Sequence, residues 1–139
     1  MAHLSVSTRH AGKQSSDKVL VGTVQEAIDR GAKGVSVQVN MGSPTEADMI
    51  ERLGIISSDT NYLDVPLLGM IYPRGENLSI MDGDVTEGAA HAARLAFELG
   101  CQVVKTKWTG SIESFRKVTN SVPIPVLIAG GPAGSSTED

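Results

Sequence analysis

Short apolar, β-branched runs alternate along the chain with longer stretches whose apolar positions recur at helical spacing. Residues 2–7 (AHLSVS) alternate weakly and read as a strand, and residues 8–17 (TRHAGKQSSD) as a polar loop. Over residues 19–31, VLVGTVQEAIDRG suits an amphipathic helix with Val21, Val24, Ala27 and Ile28 on one face. Gly31 fits its C-terminal cap, where a left-handed backbone costs glycine little. Residues 34–40 (GVSVQVN) set Val35, Val37 and Val39 on one side of a strand and Ser36, Gln38 and Asn40 on the other.

Ser43 or Thr45 then suits the cap of a helix through residue 63, with Pro44 in its first turn. Asp64-Val65-Pro66 ends that helix. Residues 66–73 (PLLGMIYP) are nearly all apolar, as in a strand covered by protein on both faces. A loop at 74–84 leads to an Ala-rich helix at 85–100, closed by Gly100. A strand at 101–108 (CQVVKTKW), a short helix at 111–120 and a strand at 124–131 (IPVLIAGG) follow.

Strands thus begin roughly every thirty residues, the spacing of β-α units in a parallel sheet. Right-handed crossovers leave two architectures: an open doubly wound sheet or part of a (β/α)₈ TIM barrel. Five strands in 139 residues suit a small open sheet by length. They equally suit an arc of a barrel whose usual size is about 250 residues.

Composition narrows the function classes. The chain is 40% hydrophobic and 20% charged, with a formal net charge of −4. That mildly acidic balance speaks against nucleic-acid or anionic-membrane partners, which need concentrated basic surface. No apolar run is long enough for a membrane-spanning helix, and the first residues lack a signal-peptide pattern. One cysteine, Cys101, allows no internal disulfide, so a reduced, cytoplasmic protein is expected. The first residues already read as a strand and the last follow directly on another, so residues 1–139 are expected to form a single domain that begins and ends within a larger unit.

In both architectures functional groups gather at the C-terminal ends of the strands. Those ends carry Ser5 to Thr8, Gln38 to Asn40, Tyr72-Pro73-Arg74-Gly75, Lys105 to Gly110, and Ala129-Gly130-Gly131-Pro132. All are polar or glycine-rich. Lys105 follows Val103-Val104 on a strand expected to be buried on both faces, where lost hydration disfavours an ammonium and lowers its pKa. Such an amine can attack a carbonyl and form an iminium ion. The same position suits a lysine that reaches water or binds phosphate. Lys107 shares its face by the strand period of two, as an electrostatic helper or an exposed residue.

Tyr72 could pass protons to and from a substrate hydroxyl or carbinolamine oxygen, or simply pack its ring. Arg74 could pair with a phosphate or solvate its loop. Gly130-Gly131 would let backbone N–H groups approach a phosphate, or form a plain turn. Trp108 fits packing under the following helix better than stacking on a ligand. His3, His10 and His91 lack metal-site spacing, and Asp82 and Asp84 lack the remaining ligands of a calcium loop.

The linked motifs resemble one family. Tyr-Pro-Arg-Gly at 72–75, the Ala-rich helix at 90–100, Val-Lys-Thr with Thr-Gly across 104–110, Ser114-Phe115-Arg116 and Pro-Val-x-Ile-Ala-Gly-Gly-Pro at 125–132 resemble the archaeal-type class I aldolases over essentially the whole chain. The resemblance implies a single, incomplete TIM-barrel domain over 1–139, with the third to seventh strands of the family's barrel present and its first, second and last lacking. It implies a Schiff-base Lys105, a proton-donating Tyr72, Tyr72-Pro73-Arg74 in the substrate site and Gly130-Gly131 on a phosphate. It also implies a phosphorylated ketose and an aldehyde as substrates, no cofactor, no metal and a homo-oligomer.

Two members of the family are similar: 2-amino-3,7-dideoxy-D-threo-hept-6-ulosonate synthase and class I fructose-bisphosphate aldolase. VSVQVNMGS and DKVLVGTVQEAI resemble the synthase more, which transfers a three-carbon unit to aspartate semialdehyde toward aromatic amino acids. The KTK pair resembles the fructose-bisphosphate enzyme more. The family's Asp-His-Gly acid/base motif and its Gly-Arg phosphate contact do not occur in this sequence, and Gln38 stands where the synthases usually have histidine. A non-catalytic phosphate-binding or interaction module is the alternative of another class.

Overall fold

The computed structural model describes residues 1–75 and 85–130. Five parallel strands form one sheet in the spatial order β1 (Ala2–His3), β4 (Val35–Met41), β5 (Leu67–Pro73), β6 (Val103–Thr106) and β7 (Val126–Ile128). Between the first two, β2 (Ser5–Val6) and β3 (Val19–Leu20) make a separate antiparallel pair. The helices are α1 (Val24–Asp29), α2 (Glu46–Leu63), α3 (Val85–Glu98) and α4 (Ile112–Asn120).

Sheet neighbours follow chain order throughout the parallel sheet. A doubly wound sheet would reverse order at a switch point; this one advances in a single direction, as a barrel arc does. The register aligns Val35 with Leu67, Val39 with Ile71, and Gly69 with Val104, so these side chains share a face. That face packs on Met49, Leu53 and Ile56 of α2, Ala89, Ala92 and Ala96 of α3, and Val118 of α4. Leu53, Leu67 and Ile71 are fully buried there, each contributing roughly 1.5–3 kcal/mol.

Small residues set how closely α3 approaches. Ala89, Ala92, Ala93 and Ala96 are wholly buried, and Gly69 faces them from β5. A methyl on Gly69 would stand 2.8 Å from Cys101 Sγ and 3.4 Å from the Ala96 methyl. Helix ends follow local chemistry. Thr23 and Glu26 form a reciprocal capping box on α1, and Ser111 and Ser114 do the same on α4. Gly31 and Gly100 take φ of 90° and 87° after α1 and α3, and Asp64 takes φ 55° after α2.

Several expectations change. The strand at 2–7 is broken at Leu4, whose N–H bonds the Ser36 carbonyl while its own carbonyl accepts from Val21. Beyond it, the Ser5 hydroxyl accepts the Gln38 N–H at 3.0 Å, a bond to a side chain where a backbone ladder would otherwise continue. The expected helix at 19–31 is only Val24–Asp29, because Val19-Leu20 pair with Ser5-Val6 as a hairpin. The expected loop at 8–17 contains two 3-10 turns joined at Gly12, φ 58°. Thr45 caps α2 in position only: its hydroxyl donates to Asp17, and Pro44 precedes the helix. The strands around Lys105 and Gly130 are shorter than expected, ending at Thr106 and Ile128.

Candidate active site

The sheet face turned away from the helices carries the candidate residues Lys105 and Tyr72. The register aligns Gln38 with Met70, Met70 with Lys105, and Lys105 with Leu127. Asn40 aligns with Tyr72 one row nearer the C-terminal end. Residues aligned across a parallel sheet point to one face, so Lys105 and Tyr72 share this surface on adjacent strands, staggered diagonally. Among the described residues Lys105 is half-buried rather than enclosed, Val103 is likewise half-covered, and Leu127 beside it is exposed.

Tyr72 is the buried counterpart, 7% exposed. Burial pushes its phenol above the usual value, and the Arg74 guanidinium pulls it back down. That guanidinium lies 4.6 Å from the Tyr72 ring centroid, a cation–π contact that also holds Arg74 at the strand end. Pro73 aligns with Met41 and turns to the helix side, so it shapes the bend between Tyr72 and Arg74. Gly130 lies exposed just past β7, beside Ala129, whose N–H bonds the Thr106 carbonyl at 2.8 Å. Gly131, like Asp82 and Asp84, lies outside the described residues. Lys107 is exposed beyond the end of β6.

Trp108 packs as expected, its ring 5.3 Å from that of Phe115 on α4. Thr106 points to the helix side, where its hydroxyl is buried without a hydrogen-bond partner. Among the described residues no three His, Cys, Asp or Glu side chains come together as metal ligands would.

The segment Arg9–Ser16 folds over the ends of β4 and β5 and supplies groups that sequence reasoning missed. Asn40 donates through Nδ2 to the Ser16 carbonyl at 2.7 Å and accepts from Gln38 Nε2 at 2.9 Å. Asp17 accepts from the Thr45 hydroxyl at 2.6 Å. A cleft of about 520 Å³ opens between Lys13, Ser16 and Asp17 on one side and Ser43, Arg74 and Gly75 on the other. Lys18 donates to the Ser7 hydroxyl at 2.6 Å. Burial, and then the Arg74 charge, hold its ammonium pKa below the usual lysine range. His3, bonded through Nδ1 to the Ser36 hydroxyl at 2.9 Å, is held below its usual value by partial burial, then by Lys18, and more weakly by Lys105. No motif marks Lys18 or His3. The only local signal was a polar Asp-Lys pair just before an apolar run.

A half-buried primary amine beside a buried phenol, with cations around the mouth, can form an imine and move protons next to it. Comparison with known proteins gives this arrangement a context. The family model described as DeoC/LacD family aldolase matches residues 1–139. A 2-amino-3,7-dideoxy-D-threo-hept-6-ulosonate synthase from Halobacterium salinarum is 42% identical over 135 residues, covering 96% of this chain and 49% of the relative. An archaeal fructose 1,6-bisphosphate aldolase superposes with a TM-score of 0.86 at 32% identity, over 96% of this chain and 52% of that one. A further archaeal fructose-1,6-bisphosphate aldolase, solved with its catalytic lysine covalently bound to the carbinolamine intermediate, superposes with a TM-score of 0.78 at 34% identity over 86% of this chain and 47% of that one. The chain spans about half the length of the curated relatives it matches.

Proposed function

The chain belongs to the DeoC/LacD aldolase family, and we propose that it carries the Schiff-base lysine of a class I aldolase or transaldolase acting on a phosphorylated ketose. The observation that carries this is the placement of Lys105. It is the lysine within a strand of the helix-free face, one strand from the buried Tyr72 phenol.

In this reading the Lys105 amine attacks the ketose carbonyl and gives a carbinolamine. Tyr72 donates a proton to the departing hydroxyl, water leaves, and an iminium remains. The phenolate left on Tyr72 takes the proton of the hydroxyl on the far carbon of the neighbouring C–C bond; that bond breaks, its electron pair moves into the iminium, and an enamine and a free aldehyde result. The enamine attacks the acceptor aldehyde, and hydrolysis of the new iminium frees the product and Lys105. Arg74 pairs with substrate oxygens at the mouth, with Pro73 setting its direction. Gly130 and Gly131 offer backbone N–H groups to the phosphate.

We favour the heptulosonate-synthase type of transfer, with aspartate semialdehyde as acceptor. Fructose-bisphosphate cleavage, with glyceraldehyde 3-phosphate as acceptor, is the second reading, favoured by the structural match. Product assays with the two acceptors separate them: a seven-carbon amino-ketose product supports the first and fructose bisphosphate the second. Neither product from any ketose phosphate donor, together with unaltered phosphate binding, would instead fit the non-catalytic module.

The same proposal takes residues 1–139 as one domain whose five parallel strands correspond to the third to seventh of the barrel. It includes a homo-oligomeric, cytoplasmic enzyme, which sedimentation and fractionation check. No helix among the described residues is long and apolar enough to cross a membrane.

A further inference from the structure

A backbone carbonyl decides which way two side-chain amides face on the lysine side of the sheet. Asn40, wholly buried, meets the Ser16 carbonyl at 2.7 Å and the Gln38 amide at 2.9 Å. A backbone carbonyl can only accept, so the Asn40 group turned to Ser16 is its NH₂. The Asn40 oxygen then faces Gln38, and an oxygen there requires the Gln38 NH₂ opposite it. The Gln38 amide is thereby fixed, with its nitrogen committed to Asn40 and its carbonyl oxygen on the other branch. Its main chain is held as well, by the Gln38 N–H donating to Ser5 Oγ at 3.0 Å.

Gln38 shares a row with Lys105. The register runs Gln38, Met70, Lys105 across the face turned away from the helices. Two strand spacings of about 4.8 Å separate the outer pair, roughly 10 Å in all. Met70, half-buried between them, offers an apolar and adaptable floor. A carbon chain bonded at Lys105 and lying over Met70 runs towards Gln38. There it meets a hydrogen-bond acceptor, since an amide oxygen carries two lone pairs and can take a ligand hydroxyl even where a neighbour uses one. Because the amide is oriented before any ligand arrives, little ordering cost falls on binding.

We propose that Gln38 accepts a hydrogen bond from a hydroxyl on the carbon chain bound at Lys105, and so selects polyhydroxylated ketones over deoxygenated ones. This rests on the aldolase reading of Lys105 for the covalent attachment of the ligand, not for the orientation of the amide. Gln38 is then a specificity-determining residue. Asn40 and the Ser16 carbonyl are positioning groups that act through it.

The test uses the whole chain with two ketones of one four-carbon skeleton, erythrulose and 1-hydroxy-2-butanone, which lacks the hydroxyls on the two carbons beyond the carbonyl. Borohydride trapping in wild type should reach half its maximum at a lower concentration of erythrulose than of the deoxygenated ketone. Gln38→Met should shrink that preference about fivefold, the scale of one lost hydrogen bond. A purely structural role for Gln38 would weaken trapping of both ketones alike, and an unchanged preference overturns the proposal. The second readout needs no adduct. In ¹⁵N-glutamine spectra of wild type, erythrulose should shift the Gln38 side-chain amide resonance and 1-hydroxy-2-butanone should leave it in place. Should Gln38→Met fail to fold, that resonance decides alone. No adduct with either ketone removes the aldolase reading; an erythrulose-specific shift of the Gln38 amide would then leave the hydroxyl site standing, and an unmoved amide would overturn both.

Discussion

The guanidinium of Arg74 lies over the ring of Tyr72, 4.6 Å from its centroid, at the C-terminal end of β5. Two opposing influences meet on that phenol: burial, the larger, raises its pKa, and the cation lowers it. Replacing Arg74 by Met removes the lowering influence and leaves the burial. The phenol should then titrate higher still. Absorbance titration in a Tyr62→Phe background, where Tyr72 is the remaining tyrosine, reads this directly. A downward shift would contradict the assignment of the Arg74 charge to Tyr72.

Tyr72→Phe tests the proton-transfer role. The hydroxyl is lost while the buried ring remains, so stability should change little. Turnover should fall by roughly 10²–10⁴, the usual contribution of a positioned acid or base. Unchanged turnover in an active assembly would assign Tyr72 to packing alone.

The contact between Gly69 and Cys101 predicts a coupled pair. Gly69→Ala places a methyl 2.8 Å from Sγ in a region with no open space, and overpacking of this kind costs about 1–3 kcal/mol. Cys101→Ala removes the sulfur and should rescue much of that loss. Urea unfolding of the double-mutant cycle should show coupling of about 0.5–3 kcal/mol. Strict additivity would mean that α3 shifts freely over β5.

Cys101 also makes stability depend on alkaline pH. Burial pushes its thiol up to about 12 from the usual 9.0, so the folded state holds the proton that the unfolded chain releases. The contribution is complete below the unfolded value and is lost as pH rises from 9.0 towards about 12. At a pH of about 10 the loss is roughly 1.4 kcal/mol. Unfolding midpoints for Cys101→Ala should decline less steeply across this window than wild type, with Tyr72 supplying part of the remaining slope.

The fold was largely legible where pattern and length agreed. Val35, Val37 and Val39 alternate, PLLGMIYP is too short and too apolar for a surface helix, and the Ala-rich stretch before Gly100 has helical spacing. Residues 19–21 were not legible. Val-Leu-Val suits either period, and the choice is made by the distant Ser5-Val6 and the Leu4 carbonyl. Sequence also left the strand order open between a barrel arc and an open sheet, because neighbour relations are tertiary.

Within the candidate site, Lys105 and Tyr72 stand out in the sequence because each ends an apolar run. The expected enclosure of Lys105 did not follow, since its coverage depends on what lies across the sheet face and not on its own strand. Lys18 left no trace in the pattern. Its position comes from bonds to Ser7 and Arg52, far apart in sequence and outside any motif.

The central claim is that Lys105 is the amine that bonds covalently to substrate. Reduction with borohydride in the presence of dihydroxyacetone phosphate, followed by peptide mapping, tests it most directly, because iminium formation needs only the amine and a proton donor. The account predicts one stable adduct, on Lys105, absent from Lys105→Met. An adduct on Lys107 or Lys18, or no adduct on a folded chain, would contradict it.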